Sequence, residues 1–382
     1  MKIKYYKLLL LALPILFISC SDDDDENNVV VAPNTYEFTR DGASTVSFSG
    51  QTDRLNMADE IYAALNTNTS TSAKLLEMHN DGTGFSDATL DASGKKIGSK
   101  TAAGCSHGPL SQTQQRFKDM LSDYDDVKAN WNATATNGSA GLITDANRTI
   151  NVNANGWELD QTYIKGIIGG MCVDQIVNNY LDACQLDSGT RRADNDNGVL
   201  ASGKNYTDME HKWDEAFGYM YGQEADPTRA NLGTDPVKTG TTLYKYLYSV
   251  NGQAAHAGIS SRIFDAFKLG RAAIVAKNYE VRDEQIKILA VEISKIVGQK
   301  AVNYLEGYVA TDKAVSPADA IHDLSEGYGF ILSLMFTNDG TGSPYFSEAE
   351  VNTMLSKLSN FWTVSDVELT QMANDIKGRF NF

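Results

Sequence analysis

The chain has 382 residues, with 33 Lys and Arg against 49 Asp and Glu, five His, four Cys and a net charge of −16. That length allows about two domains, each able to bury its own core. The acidic balance argues against a nucleic-acid partner, which needs clustered Lys and Arg, and a charged fraction of 21% against 42% hydrophobic residues excludes a disordered chain.

Residues 1–20 read as a targeting segment. Lys2, Lys4 and Lys7 precede an apolar run from Leu8 to Ile18, which is shorter than the about 20 residues of a membrane span. The run ends in Phe17-Ile18-Ser19-Cys20. This resembles a bacterial lipoprotein signal, which implies that Cys20 is lipidated and becomes the mature N-terminus. Asp22 to Asp25 and Glu26 then open an acidic and polar tether over 21–50, expected to stay extended and solvated. The tract resembles acidic export tags of surface-exposed lipoproteins. The expected location is therefore the outer membrane, lipid-anchored and facing outward.

Helical periodicity dominates from there. A first bundle is expected over 51–225, with helices at 53–65, 111–131, 157–186 and 206–221 and loops at 132–156 and 187–205. A linker follows at 226–240. The second bundle, 241–382, carries helices at about 258–277, 282–309, 316–337, 347–360 and 366–380. No stretch alternates as a set of strands would, so the fold class is all-α, built of helical bundles. Cys105, Cys172 and Cys184 remain once Cys20 is set aside, so at most one intramolecular disulfide forms. Cys172 and Cys184 would lie about 18 Å apart on one unbroken helix and cannot bridge each other.

The most informative feature is internal. His211-x-x-x-Glu215-Ala-Phe217-Gly218-Tyr219 returns as His322-x-x-x-Glu326-Gly-Tyr328-Gly329-Phe330. Upstream, Gln175-x-x-x-Asn179-Tyr180-Leu181-Asp182 matches Gln299-x-x-x-Asn303-Tyr304-Leu305-Glu306, and Arg116-x-x-Asp119 pairs with Arg262-x-x-Asp265. Order is kept and spacing changes fall in loops, which reads as tandem duplication of a helical unit. His and Glu four apart share one helix face, so His211 and Glu215, with Asp214 leaning the same way, are candidate metal ligands. The competing role is a polar clasp between helices. A glycine at the same place in both copies implies close approach of a backbone or ligand. Candidate neighbours of the site are Arg116, Arg262, Asp265, His322 and Glu326.

The Trp213-Asp214-Glu215-Ala216-Phe217-Gly218-Tyr219 string behind His211 resembles the imelysin-like family, in particular its lipoprotein branch classed as a domain of unknown function. The resemblance covers most of the chain from about residue 50. It implies two pseudo-symmetric helical bundles with a site near their junction, and a link to iron uptake or to metal-dependent peptidase activity. Met209 and Asp214 stand where the broader pattern G-x-H-x-x-E has Gly and Glu.

Other motifs carry less. Gly198-x-x-x-x-Gly203-Lys204-Asn205 lacks the Ser or Thr of a phosphate loop, and no strand precedes it. Asp194-Asn-Asp196-Asn-Gly198 offers a calcium-loop fragment without its closing Glu. Cys105-Ser-His107 lacks a third ligand, and His79 and His256 read as surface or capping residues. Trp131, Trp157 and Trp362 are expected to fill bundle ends. Three functions follow. The first is binding of iron, another divalent cation or an iron-containing ligand through His211, Asp214 and Glu215. The second is a glycan- or protein-binding module that displays Trp213 and Tyr219. The third is a metal-dependent peptidase with Glu215 as general base.

Overall fold

The computed structural model describes residues 29–230 and 240–382, so the expected signal, Cys20, the acidic tract to residue 28 and most of the linker (231–239) lie outside the described residues. The chain is mostly helical. No described helix is long and apolar enough to cross a membrane.

The segment expected to be tether is folded from Tyr36 onward. A two-stranded ribbon, β1 (Thr39–Arg40) and β2 (Ala43–Ser44), turns at Asp41-Gly42, both at positive φ, as a tight hairpin turn requires. Tyr36 is fully buried, and its ring stacks on Phe217 at 3.6 Å. These contacts make Tyr36, upstream of the expected residue 51, part of the core.

Helices α1 (Ser49–Leu65), α2 (Ser72–Asp81) and α3 (Ala88–Ala92) follow. Thr71 accepts a hydrogen bond from Lys74 N to start α2, and left-handed Gly82 ends it. The helix expected over 111–131 is two, α4 (Ser111–Ser122) and α5 (Tyr124–Ala129), joined at Asp123, whose carboxylate accepts from Asn153. The expected loop at 132–156 holds an antiparallel hairpin, β3 (Gly141–Thr144) with β4 (Thr149–Val152), paired Leu142 to Asn151 and Ile143 to Ile150. Four-residue strands are too short for alternation to stand out from loop composition.

The helix expected over 157–186 is also interrupted. α6 (Leu159–Ile167) widens into π-helical turns at Ile168–Val173 and Ile176–Tyr180, and Asp182 then caps a separate α7 (Ala183–Leu186). Every residue from 158 to 181 is buried, so this rod is the axis of the fold. The break lets Cys184 turn away from Cys172, which is free and buried, and pair with Cys105.

The expected loop at 187–205 contains α8 (Arg191–Asp196). It holds no calcium loop, because Asn195 is buried against Ile274 O and Thr207, and Asp196 accepts from Tyr279. A capping box of Thr207 and Glu210 starts α9 (Asp208–Tyr221). The second half comprises α10 (Leu243–Asn251), α11 (Ile259–Val275), α12 (Tyr279–Ala310), α13 (Pro317–Ser333), α14 (Glu348–Lys357) and α15 (Asp366–Phe380).

The two halves share one core. α6 packs directly on α13, where Ser333 Oγ donates to Lys165 O and accepts from Gly169 N. A Cβ at Gly329 would lie 2.4 Å from Lys165 Cβ and 2.7 Å from Gly166 N, so only glycine permits this spacing. One apolar cluster runs from Tyr36 to Phe380.

Candidate functional site

Helix α9 presents two adjoining polar stripes because successive residues turn by about 100°. Glu210 and Asp214 form the inner stripe. Arg271, from α11 and fully buried, donates from Nε to Asp214 at 3.0 Å, from Nη1 to Glu210 at 3.2 Å and from Nη2 to Thr45 Oγ1 at 3.1 Å. Tyr36 OH donates to Asp214 at 2.8 Å, and Arg40 forks onto both oxygens of Glu210 at 2.9 and 3.1 Å. Burial pushes the Asp214 carboxyl up to about 6 against the pull of Arg271. Asp214 is therefore a structural partner of Arg271, and the structure does not bring it to His211 as a third ligand.

His211, Lys212 and Glu215 form the outer stripe and line a cavity of about 440 Å³. His211 Nε2 is 4.0 Å from Glu215, and its ring stacks on Tyr206 at 4.8 Å. Glu215 accepts from Lys212 Nζ at 2.6 Å and Gln51 Nε2 at 3.0 Å. Burial opposes its ionisation, but Lys212, His211 and Gln51 together hold the carboxyl below the usual range. Burial likewise lowers the His211 pKa, more than Glu215 raises it, so the free imidazole is neutral at pH 7.

The rest of the lining is cationic. Arg54, Lys95, Lys100 and Lys204 join Lys212 around this cavity, and Glu215 is the one carboxylate among its lining residues. Lys100 and Lys212 each lie over the Tyr180 ring, at 5.0 and 5.6 Å. Burial, then repulsion by Arg54, lowers the Lys100 pKa. Among the described residues, Lys95, Lys100 and Lys204 have no carboxylate within 4.0 Å, whereas Lys212 does. Lys204 enters from the turn after Gly203, at the end of the segment that nearly spells a phosphate loop; no such loop forms there.

The second His–Glu pair keeps the four-residue spacing on one helix face in a closed setting with different partners. His322 Nε2 is 3.7 Å from Glu326, and its Nδ1 meets Glu158 at 2.7 Å. Glu326 pairs with buried Lys165 at 3.0 Å. Gln175 bonds Asn179 at 2.8 Å and Gln299 bonds Asn303 at 2.7 Å. Tyr180 stacks near Tyr219, and Tyr304 near Phe330. Gly218 meets Phe48 as closely as Gly329 meets Lys165, so each of these glycines admits a neighbouring segment.

A family model covers residues 33–382, nearly the whole described chain. The chain belongs to the family described as a domain of unknown function, DUF4856. No curated protein and no solved structure shows a significant match.

In this DUF4856 chain the remaining expected neighbours are dispersed. Arg116 bonds Tyr328 OH and Asn352. Arg262 pairs with Glu292, and Asp265 with Lys268, beside a separate groove between α11 and α12. Trp213 and Tyr219 are fully buried, with Trp213 Nε1 donating to Phe267 O, so neither ring forms a binding platform. His79 and His256 are buried as well, bonded to Tyr163 OH and Gln299. His107 pairs with Asp174 at 2.7 Å. Trp157 and Trp362 donate to Leu358 O and Ala154 O, fastening the β3–β4 region to the end of α14. Among the described residues, the three-donor group that converges within 4.8 Å is Cys105, Asp182 and Cys184, and both of its sulfurs are committed to the disulfide.

Sequence reasoning missed the cations. Lys95 and Lys100 lie on one turn region more than 100 residues before Lys204, and no periodicity links them to α9.

Proposed function

We propose that the chain is a non-enzymatic, lipid-anchored binding protein on the outer membrane, facing outward, which takes an anionic ligand in the pocket beside His211. One observation carries the reading. In a chain of net charge −16, five cationic side chains converge on one cavity that contains a single carboxylate. Collecting like charges is unfavourable unless a counter-charge arrives. The signal-like residues before Cys20 and the acidic tract after it support the anchor and its outward placement.

The same lining disfavours a bare cation. A metal at His211 and Glu215 would find two donors 4.0 Å apart, with Lys212 already on the carboxylate, where transition-metal sites use three or more protein ligands. Iron enters this reading as an anionic carboxylate chelate, and the imelysin-like resemblance supports that link to uptake. A peptidase would need a metal to activate water and gains no support from this donor set. The paired His–Glu arrangement supports a duplicated unit in which one copy kept an open pocket and the other closed around Lys165.

The test is calorimetric titration of residues 21–382, which retain the whole core from Tyr36 to Phe380. Citrate, sulfate, phosphate and ferric citrate are compared with Fe²⁺ and Zn²⁺. Anions are expected to bind, and Lys100→Ala to weaken them roughly five- to tenfold, about 1–1.4 kcal/mol. Stoichiometric Zn²⁺ or Fe²⁺ binding lost in His211→Ala, with no anion bound, would contradict the reading.

A further inference from the structure

We infer that the anionic group received by the His211 pocket is a tetrahedral oxyanion ester, a sulfate or phosphate carried on a hydroxyl-rich molecule such as a sugar. The inference rests on the anion-binding reading and narrows it by the chemistry of the lining.

A guanidinium meets a carboxylate or a phosphate with two parallel hydrogen bonds, whereas an ammonium group acts as a point charge that takes one oxygen at a time. Arg54 is the one guanidinium of the lining, and it is turned to the backbone. Its Nε donates to Lys96 O and its Nη1 to Gly50 O, both at 3.1 Å. What is offered to a ligand is ammonium. Lys95 follows α3, Lys100 ends the short turn Gly98–Lys100, and Lys204 precedes α9. These are three separate elements, and three point donors match one to one the three terminal oxygens of a sulfate or phosphate ester, where a carboxylate has two. Lys212 is matched by Glu215 at 2.6 Å, which leaves these three ammonium groups to balance the ligand. A phosphate ester brings a charge of about −1.5 to −2.

The neutral part of the wall fits hydroxyl groups. Ser47, Ser49 and Gln51 line it. Aromatic faces are not on offer: Tyr206 is covered by His211, and Tyr180 is buried under Lys100. A ligand with a broad apolar face would find no platform, while a polar ring with hydroxyls on every side would. A cavity of about 440 Å³ lies within the range of small-molecule sites.

The experiment compares four probes that share a ring and differ at one carbon: glucose 6-phosphate, glucose 6-sulfate, glucuronate and glucose. Each is titrated calorimetrically into residues 21–382, into Lys100→Ala and into Lys204→Ala, with thermal melting confirming that both variants fold. At least one of the two esters is expected to bind tenfold or more tighter than glucuronate, with glucose silent. Each variant is expected to lose that advantage. Measurements at pH 5.5 and 7.5 separate the two sources. A phosphate ester strengthens as its second proton leaves near pH 6; a sulfate ester does not strengthen with rising pH. Glucuronate binding as tightly as both esters would overturn this inference while leaving the anion reading intact. Silence of all four probes, and of citrate and inorganic phosphate, would overturn both.

Discussion

Removing the Asp214 carboxylate would leave Arg271 buried with Glu210 as its sole acidic partner. Asp214→Ala is expected to destabilise the fold by about 3–5 kcal/mol, the cost of breaking a buried pair, read as a lowered midpoint in urea. His211→Ala, three residues away on the pocket wall, is expected to cost under about 1 kcal/mol by the same measurement. A metal-binding triad would instead couple the two positions. His79 gives a pH signature. Burial lowers its pKa to about 3 in the fold, against about 6.5 when unfolded. The unfolded chain then binds the extra proton first, so this contribution is complete above pH 6.5 and is lost as the pH falls towards 3. Roughly 3 kcal/mol should be gone by pH 4, and His79→Gln should flatten that part of the stability curve.

Element packing depends on small residues where rods cross. Gly329→Ala would drive a Cβ into Lys165 and Gly166 and is expected to cost about 1–3 kcal/mol. Gly378, in the exposed last turn of α15, has nothing within 4 Å of the same position; Gly378→Ala is expected to gain up to about 1 kcal/mol. Urea unfolding of the pair checks both signs. Helices α11, α12, α14 and α15 of the second half were legible in the sequence because each buries one stripe and exposes another, and α13 because its length and apolar run mark it. The 157–186 rod kept its apolar signal but hid its π-turns and its break, since a segment buried on every side has no amphipathic phase to interrupt. Four-residue strands and the short α2 and α10 lay below the length at which periodicity speaks. His211 and Glu215 were legible because the motif recurs. Asp214 was misread because three-residue spacing on a helix does not reveal that Arg271, 57 residues on, draws it inward.

At the scale of the whole molecule, α6 and its π-turns bind two expected bundles into one core, and the Cys105–Cys184 disulfide joins residues 79 apart in the chain. A Cys105→Ala/Cys184→Ala variant is expected to lose roughly 2–5 kcal/mol, seen as an earlier urea transition, with one cooperative step if the halves share a core as described. Charge organisation is a property of the same scale. An acidic chain gathers five cationic side chains around the His211 hollow, and that contrast carries the functional reading. The most direct measurement is the pKa of the His211 ring by NMR, assigned with His211→Gln, with and without added sulfate. An anion seated in the pocket favours the imidazolium, so the pKa should rise from its depressed value by about one unit or more. A pKa that ignores sulfate, phosphate and citrate but falls when Zn²⁺ is added would contradict the account, because competition between a proton and a metal has the opposite sign.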